Sequence, residues 1–563
     1  MRISWKQWSQ SGAPWVWINA GAVAISLIMV LGLLGVIAVR GLGHFWPAAV
    51  MQADYLNEAG QLESLIGEPV STELVPAARL RDAGVPLNTD KNEVSRTLLK
   101  IGNRDLFGGD FRWVISDHLQ QVRYPSLLMT LERREWGNFY GVPRQLLEGD
   151  KPVASFTGTD SNPQNEQSWQ LLQQHIERSL AIHHEIVQIE KVEIGAINAQ
   201  IERLRLQQRS LQLQGEASPA ALAEIDVERD QAQRAYQQLQ DKLTRLYQQA
   251  NRDSLVVEAA NGKQLNIALD KIVRAYRPNA MHLGQKISFY ASKLWEFLSA
   301  EPREANTEGG IYPAIFGTVM MVILMTLFVT PCGVIAAVYM REYARQGLLT
   351  RILRIAVNNL AGVPSIVYGV FGLGFFVYFL GGSIDQLFFR AALPSPTFGT
   401  PGLLWASLTL ALLTLPVVIV ATEEGLSRIP RSVREGSLAL GATKWETLWR
   451  VVLPMASPAM MTGVILAVAR AAGEVAPLML VGVVKLAPSL PVDGNFPYVH
   501  LDQKFMHLGF HIYDVGFQSP NVEAARPLVY ATALLLVIVI ALLNFAAVSI
   551  RNHLREKYRA LEI

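Results

Sequence analysis

The sequence predicts a mainly α-helical, polytopic membrane protein, and three observations predict this class. Half of the 563 residues are hydrophobic, and the mean hydropathy is positive. The apolar residues are concentrated in runs of roughly 20 residues or more, each long enough to cross a bilayer core of about 30 Å. Lys and Arg are clustered in some of the loops between these runs. The net charge of +2 does not indicate a nucleic-acid partner, whereas the apolar runs indicate membrane lipid.

Six transmembrane helices are predicted from these runs. They cover approximately residues 17–39, 312–340, 355–380, 401–421, 459–484 and 527–549. A basic end followed by an apolar stretch is also typical of a signal peptide. The first run, however, is longer than a signal peptide requires, and no small-x-small cleavage motif follows it. We therefore predict that residues 1–40 form a retained N-terminal anchor helix.

The distribution of basic residues predicts the orientation of the chain. Lys and Arg are frequent at residues 341–354, 428–450 and 551–559, and scarce in the longer loops 381–400 and 485–526. Because short loops rich in Lys and Arg stay in the cytoplasm, both termini and the loop between the fourth and fifth spans are predicted to be cytoplasmic. The long segment between the first two spans is then on the outer side of the membrane.

Residues 41–310 form this outer segment, and part of it has a heptad pattern. Apolar residues recur with alternating steps of three and four over residues 176–211 and again over 222–250. Both series fit a coiled-coil seam, and residues 215–219 would end one helix and start the next. An antiparallel coiled-coil hairpin is therefore predicted over about residues 170–252.

β-Strands are predicted on both sides of this hairpin. Residues 254–260 and 263–269 flank Asn261-Gly262, a common sequence of a type I′ β-turn. Further strands are predicted at residues 94–101, 111–116 and 127–135. We therefore predict a small β-rich module from which the coiled coil projects. Two interpretations stay open: the hairpin docks or senses a partner, or it is a spacer that braces the chain.

A charged, helix-forming segment, residues 423–457, interrupts the apolar pattern between the fourth and fifth spans. We predict a short helix over 431–440, a break at Gly441, a second helix over 443–452 and entry into the next span at Pro454. Such a segment is not needed merely to connect two spans. Its pattern is suited to a docking surface.

The spacing of this segment resembles the coupling loop of binding-protein-dependent ABC importers. The shared pattern is a Glu, a small residue pair, a Gly six residues after the Glu, and a hydrophobic-x-Leu-Pro ending. In that family the loop sits in a groove of a separate ATPase. The resemblance assigns ATPase coupling to Glu435, Gly436, Ser437, Ala439, Gly441, Leu453 and Pro454.

Two charged residues lie inside the fifth predicted span. Arg470 and Glu474 are one helical turn apart, which predicts that they share a helix face. A lone Arg at mid-membrane costs roughly 3 kcal/mol on insertion scales, and an ion pair with Glu474 would offset part of that cost. A guanidinium group matches an oxyanion such as phosphate with paired hydrogen bonds, which favours an anion path. The alternative is a structural ion pair that joins two helices.

The third predicted span is unusually rich in residues that weaken a helix. Gly362, Pro364, Ser365 and Tyr368 are candidate gate residues, because broken helices are tolerated where protein or a water-filled cavity covers the backbone. The alternative is that the small residues only allow close helix packing.

Residues 469–478 and 362–369 together resemble the signature of the A-type permease of bacterial phosphate-specific ABC transporters. The first is Ala-Arg-Ala-Ala-Gly-Glu-Val-Ala-Pro-Leu and the second Gly-Val-Pro-Ser-Ile-Val-Tyr-Gly. The resemblance covers residues 310–563 well and 1–40 loosely. It implies an ABC importer permease core with five transmembrane helices at 311–563, and it places Arg470 on the phosphate path.

The same resemblance implies the setting of the protein. The chain would work by alternating access in a bacterial inner membrane, with its large insertion in the periplasm. Its partners would be a second permease subunit, two cytoplasmic ABC ATPase subunits and a periplasmic phosphate-binding protein. The insertion departs from the shorter form of this family.

The sequence lacks the Gly-x-x-x-x-Gly-Lys-Ser/Thr phosphate loop of ATPases, so a non-catalytic subunit is predicted, with ATP used by a partner chain. No cofactor is expected in this chain. No metal is expected either, because the His507 and His511 pair has no third ligand beside it. Three alternatives remain: a permease for another oxyanion, a gradient-driven transporter, or a membrane-anchored coiled-coil sensor or scaffold.

Overall fold

A computed structural model describes residues 11–57, 60–82, 84, 91–157, 162–345, 347–519 and 522–558. Among these residues, six helices are long and apolar enough to cross a membrane. They are Pro14–Gly43, Tyr312–Tyr343, Ser365–Phe388, Leu403–Ser427, Lys444–Gly473 and Ala525–Glu556. The predicted number of spans is confirmed, although several boundaries differ.

The described chain is mostly helical. The α-helices are α1 (Ala13–Gly43), α2 (Ala77–Asp82), α3 (Arg104–Phe107), α4 (Pro163–Gln188), α5 (Ile194–Gln214), α6 (Pro219–Ala250), α7 (Leu283–Ser299), α8 (Tyr312–Val338), α9 (Leu348–Leu360), α10 (Ser365–Phe371), α11 (Gly382–Phe388), α12 (Leu403–Ser427), α13 (Arg431–Ala439), α14 (Lys444–Thr447), α15 (Leu453–Gly473), α16 (Leu478–Val481), α17 (Leu508–Tyr513) and α18 (Val522–Tyr558). π-Helical turns continue several of them, at Ile189–Glu193, Tyr339–Tyr343, Gly372–Gly381, Leu448–Val452 and Asp514–Gln518.

The strands all belong to the segment between the first two spans. They are β1 (Met51–Leu56), β2 (Leu62–Pro76), β3 (Glu93–Lys100), β4 (Phe111–Ile115), β5 (Leu119–Arg123), β6 (Met129–Arg133), β7 (Asn138–Glu148), β8 (Lys151–Ser155), β9 (Asp253–Glu258), β10 (Gln264–Ala268), β11 (Ile272–Tyr276), β12 (Pro302–Arg303) and β13 (Glu308–Gly309).

The fourth span, α12, is the centre of the membrane bundle and packs between α8 and α15. Small residues set the spacing of these helices. A Cβ on Gly333 would lie 2.6 Å from Val418 Cγ1, and a Cβ on Gly463 would lie 2.6 Å from Ala421 Cβ. Larger side chains at these glycines would force the helices apart, as expected where membrane helices pack through small residues.

The third span is interrupted near the residues that were expected to weaken it, and its membrane helix, Ser365–Phe388, begins later than the predicted bounds of 355–380. α9 packs beside the inner half of the fourth span, where Arg354 and Glu423 form an ion pair at 2.6 Å. The chain then turns at residues 361–364 and continues as helix to Phe388. The break has a local cause, because Pro364 has no backbone N–H and restricts the residue before it.

The fifth span also differs from its predicted bounds of 459–484. Its helix begins at Lys444 and ends at Gly473. Helical hydrogen bonding continues through the polar residues before the apolar run, which hydropathy does not detect. The predicted helix break before Pro454 is therefore wrong. The π-helical turn Leu448–Val452 lies directly before this proline, where its missing N–H interrupts the hydrogen-bond ladder.

The strands form two larger antiparallel sheets within the described residues. One has the order β4-β3-β2-β1-β5, and the other has the order β10-β9-β7-β6-β11 with β8 paired to β7. The first half of α4 belongs to the core of the second sheet, where Leu172 and Ile176 are buried against Leu255 and Phe139. Residues 163–176 are thus part of the β-rich region as well as of the long helix.

The hairpin between β9 and β10 has a different turn from the predicted type I′. Of Asn261 and Gly262, only Gly262 has a positive φ, at +75°. Gly262 N donates to Ala259 O at 2.9 Å, and Ala259 N donates to Lys263 O at 3.0 Å. This is a type I turn followed by a glycine bulge. The extra residue allows the Asn261 side chain to accept a bond from Lys263 N at 3.0 Å.

The long helical hairpin consists of α4, a π-helical turn and α5 on one arm and α6 on the other. Gly215, with φ +73°, ends α5, and the Ser218 hydroxyl accepts from Ala221 N at the start of α6. The arms pack through apolar side chains such as Ile189 and Leu246. The hairpin does not project freely, because α5 contacts the turn Arg390–Ala392 between the third and fourth spans.

The insertion lies at the opposite end of the bundle from the charged segment 423–457. The second span begins at Tyr312 beside the insertion and ends at Tyr343 beside that segment. Asn306, near the end of the insertion, donates to Lys485 O at 2.9 Å and to Asp514 at 3.3 Å. The insertion and the loops after the third and fifth spans therefore share one end of the molecule.

A network of ion pairs joins β11 of the β-rich region to α7 and β12, which precede the second span, beside a cavity of about 200 Å³. Glu296 accepts hydrogen bonds from Lys293 at 3.1 Å and Arg303 at 2.8 Å, and it pairs with Arg274 at 3.2 Å. Burial alone would raise the pKa of Glu296, but these three cations lower it below its ordinary value. One carboxylate thus contacts three cations, which lie on β11, α7 and β12.

Replacing Glu296 with alanine should lower the free energy of unfolding of the detergent-extracted chain by about 3 kcal/mol, because three cations of a buried network lose the carboxylate that they share. The pKa of Glu296 is lower in the folded chain than in the unfolded chain. The ionised carboxylate therefore stabilises the fold fully above its unfolded-state pKa, and this stabilisation is lost as the pH falls through the folded-state pKa. The Tm difference from wild type should therefore shrink in acid. Glu216→Ala, at the exposed hairpin turn, is the control, and equal Tm values for the two variants at pH 7 would refute the role.

Candidate functional site

The fifth span places its two charged residues at a helix end. Arg470 is in the last turn of α15, which ends at Gly473, and Glu474 is the first residue with extended backbone, ψ 136°. The prediction that both residues share a helix face is therefore wrong. The side chains still form an ion pair, with Arg470 Nε 3.5 Å from Glu474 Oε1. Both are partly exposed, at 35% and 22%, so the pair is accessible from outside the chain.

The helix that follows the break in the third span packs against the break in the fifth span. A Cβ on Gly369 would lie 2.7 Å from Pro477 Cα, so the first turn of α10 packs directly on the segment that follows Glu474. The Tyr368 hydroxyl donates to Leu360 O at 2.5 Å. Of the predicted gate residues, Gly362 lies in the break, Pro364 precedes α10, Ser365 begins it and Tyr368 is buried one turn later.

The electrostatics of this crossing favour an anion. The guanidinium of Arg470 is permanently charged. Within the described residues no side chain caps the first turn of α10, so its backbone N–H groups leave a partial positive charge near the crossing. Hydrogen-bond donors and positive charge therefore converge where the two helices are interrupted.

The second candidate site is the charged segment before the fifth span. Its short helix, α13, ends one residue before the predicted limit. Glu435, Gly436, Ala439 and Gly441 are exposed, and Ser437 is half-buried with its hydroxyl 2.9 Å from that of Thr447. Leu440, directly after α13, is 91% exposed.

Leu453 and Pro454 do not belong to this exposed surface. Both are half-buried in the first turn of α15, beyond a π-helical turn. The structure therefore separates them from the α13 surface, although the sequence pattern groups them together.

Sequence reasoning missed the residues that anchor α13. Arg434 donates to Ile429 O at 2.9 Å and Leu426 O at 2.8 Å, and it pairs with Glu342 at 3.0 Å. Lys444 also donates to the backbone carbonyl of Glu342 at 2.5 Å. The available signal was Glu342 itself, an acidic residue within a basic cluster at the end of the second span.

The two candidate sites lie on one continuous helix. A capping box of Thr443 and Glu446 starts this helix beside α13. It then runs without a break to Gly473, past Arg470. One continuous helix therefore connects the α13 surface to Arg470.

Known proteins resemble this membrane core. Residues 329–560 match the family described as the binding-protein-dependent transport system inner membrane component. Over 248 residues the chain is 37% identical to phosphate transport system permease protein PstA 1 of Mycobacterium tuberculosis (strain CDC 1551 / Oshkosh), covering 43% of this chain and 71% of the relative. It is 34% identical over 268 residues to phosphate transport system permease protein PstA of Mycobacterium leprae (strain TN), covering 47% and 78%. The chain belongs to the PstA family.

Membership of the PstA family confirms the resemblance found in the sequence. It makes the chain a permease subunit of an ABC transporter, which is a non-catalytic component of the inner membrane. The family match includes both helix breaks and the charged segment, whereas residues 41–310 lie outside it. Part of the chain also aligns with an inward-facing structure of the MetNI methionine ABC transporter, at 19% identity and TM-score 0.31, covering 47% of this chain and 98% of that one.

Proposed function

We propose that this PstA-family chain forms, with a second permease subunit, a path for inorganic phosphate from periplasm to cytoplasm. Two cytoplasmic ABC ATPases would drive alternating access, and a periplasmic phosphate-binding protein would deliver the anion. The observation that carries the proposal is the position of Arg470 at the crossing of two helix breaks. The names of the relatives, which are phosphate transport system permeases, support phosphate over other oxyanions.

Arg470 provides the electrostatic attraction for the anion in this mechanism. Its guanidinium donates paired hydrogen bonds to phosphate oxygens, and Glu474 holds the guanidinium in the path between transport events. Glu474 also weakens the attraction, because a carboxylate repels a bound anion. The site therefore binds phosphate transiently, as a transport path requires.

The α13 surface is the proposed site of ATPase docking. Glu435, Gly436, Ala439 and Gly441 present an exposed helix end, and Arg434 ties that helix to the second span through Glu342. Movement of a docked ATPase is then transmitted to the fifth span at Lys444. The break at residues 361–364, with Gly362, Pro364, Ser365 and Tyr368, is the proposed gate.

The proposed orientation places the α13 surface in the cytoplasm and residues 41–310 in the periplasm. Two facts support it: basic residues surround α13, and the insertion is at the other end of the bundle. α1 runs towards the insertion, and α18 begins beside the end of α1 and runs away from it, which supports a cytoplasmic position for both termini. The helical hairpin, packed over Arg390–Ala392, then covers part of the periplasmic face.

Reconstitution of the affinity-purified complex into proteoliposomes tests the function. We expect an ATPase and a second permease to copurify, and radiolabelled phosphate to enter only with ATP and binding protein present. Excess sulfate should not compete. Uptake driven by an ion gradient without ATP would indicate a secondary transporter, and preferential sulfate uptake would indicate a different oxyanion.

A further inference from the structure

We propose that Tyr368 is a positioning residue that holds Arg470 in the phosphate path by locking together the breaks of the third and fifth spans. This inference rests on the transport function proposed above. It assigns to the Tyr368 hydroxyl a role distinct from ring packing.

The first observation is a hydrogen bond that closes the break in the third span. Leu360 is the last residue of α9, and its carbonyl accepts from the Tyr368 hydroxyl at 2.5 Å. The same carbonyl accepts from Val363 N at 3.2 Å. Carbonyls at a helix end have no partner within the helix, and inside a membrane water does not replace that partner freely. The tyrosine therefore connects the two halves of the span across residues 361–364.

The second observation is the contact between this closed break and the break in the fifth span. Gly369, the next residue, lies against Pro477 so closely that a Cβ there would be 2.7 Å from Pro477 Cα. Tyr368 itself is 4% exposed. The part of α10 that carries Tyr368 thus packs tightly against the segment that follows Glu474.

The third observation is the connection to Arg470. Glu474 begins the segment on which Gly369 packs, and its carboxylate pairs with the Arg470 guanidinium at 3.5 Å. The tyrosine is therefore bonded across one break and is the neighbour of the residue that packs on the other. Loss of the hydroxyl would free α9 to move relative to α10. The part of α10 that packs beside Glu474 would then no longer be held in one position.

Tyr368→Phe removes the hydroxyl and keeps the ring, and Tyr378→Phe is the matched control because Tyr378 is 62% exposed on the same span. Uptake is measured in the reconstituted complex and normalised to assembled complex. For Tyr368→Phe we expect the phosphate concentration for half-maximal uptake to rise about tenfold, equivalent to one lost hydrogen bond, with little change in maximal rate. The control should match wild type. An unchanged half-maximal concentration, or a fall in maximal rate alone, would overturn the positioning role.

A double-mutant cycle with Arg470→Lys separates action through Arg470 from a general structural effect. The double variant is compared with Arg470→Lys alone, provided that Arg470→Lys retains measurable uptake. We expect the phosphate concentrations for half-maximal uptake of the two to differ by less than about threefold. A full, multiplicative tenfold change would show that the tyrosine acts independently and would refute the inference. If Arg470→Ala leaves uptake intact, the proposed function fails. If Arg470 is essential while Tyr368→Phe behaves like Tyr378→Phe, only this inference fails.

Discussion

Replacing Arg470 with alanine is expected to reduce ATP-driven phosphate uptake about 100-fold while leaving the complex assembled. The guanidinium makes charge-assisted hydrogen bonds, and losing about 3 kcal/mol of such contacts lowers binding by about two orders of magnitude. The side chain is 35% exposed at the helix crossing, so its removal leaves the bundle core in place. Uptake by proteoliposomes, normalised to the amount of copurified ATPase, measures the effect.

Two further variants sharpen this test. Arg470→Lys keeps the charge but loses the planar fork, so it should retain more uptake than Arg470→Ala and less than wild type. Arg555→Ala removes an exposed arginine near the end of the sixth span, far along the chain from the crossing, and should transport normally. Undiminished uptake by Arg470→Ala would leave only the structural ion-pair interpretation of Arg470 and Glu474.

Replacing Gly441 with valine is expected to uncouple the permease from its ATPase. Gly441 has a φ of +91°, and a β-branched residue there costs roughly 1–2 kcal/mol of backbone strain. The turn between α13 and Lys444 would relax to another conformation and tilt the exposed surface of α13. We expect about a tenfold loss of copurified ATPase and of uptake, with the membrane core still extracted as a folded chain.

Gly347→Val is the matched control for this prediction. Gly347 lies at the same end of the bundle with an extended φ of −143°, and an added Cβ would meet nothing closer than 4.0 Å. The backbone there accepts valine without strain. If Gly441→Val retains the same amount of ATPase as Gly347→Val, the surface around Gly441 is not the docking site.

Hydropathy and charge predicted much of the membrane part. The number of spans, the bounds of the first, second and fourth, and the helix at residues 431–440 followed by Gly441 agree closely with the structure, because each depends on residues adjacent in sequence. The errors occur where helices continue or stop for other reasons. The fifth helix extends through polar residues back to Lys444, and α15 stops at Gly473 although apolar residues continue beyond it.

The insertion was harder to predict in detail. Strands lie where alternation and turn residues indicated them, but the turn at Asn261-Gly262 differs in type because its hydrogen bonds enclose one more residue than a two-residue loop. The heptad pattern indicated two helices but gave no information about which other segments of the chain they contact. The contact of α5 with Arg390–Ala392 joins segments nearly two hundred residues apart, for which no local pattern exists.

The sequence by itself determined that this protein is a six-span membrane permease, with a charged helical segment before its fifth span and an arginine in that span. Composition, periodicity and local motifs carry that information, since they govern solubility in the bilayer and helix ends. The tertiary structure alone decided that α10 packs on the break at 474–477, that Tyr368 closes the break at 361–364, and that Glu342 anchors α13 through Arg434. These are contacts between distant segments, and they depend on how helices pack rather than on the preferences of neighbouring residues.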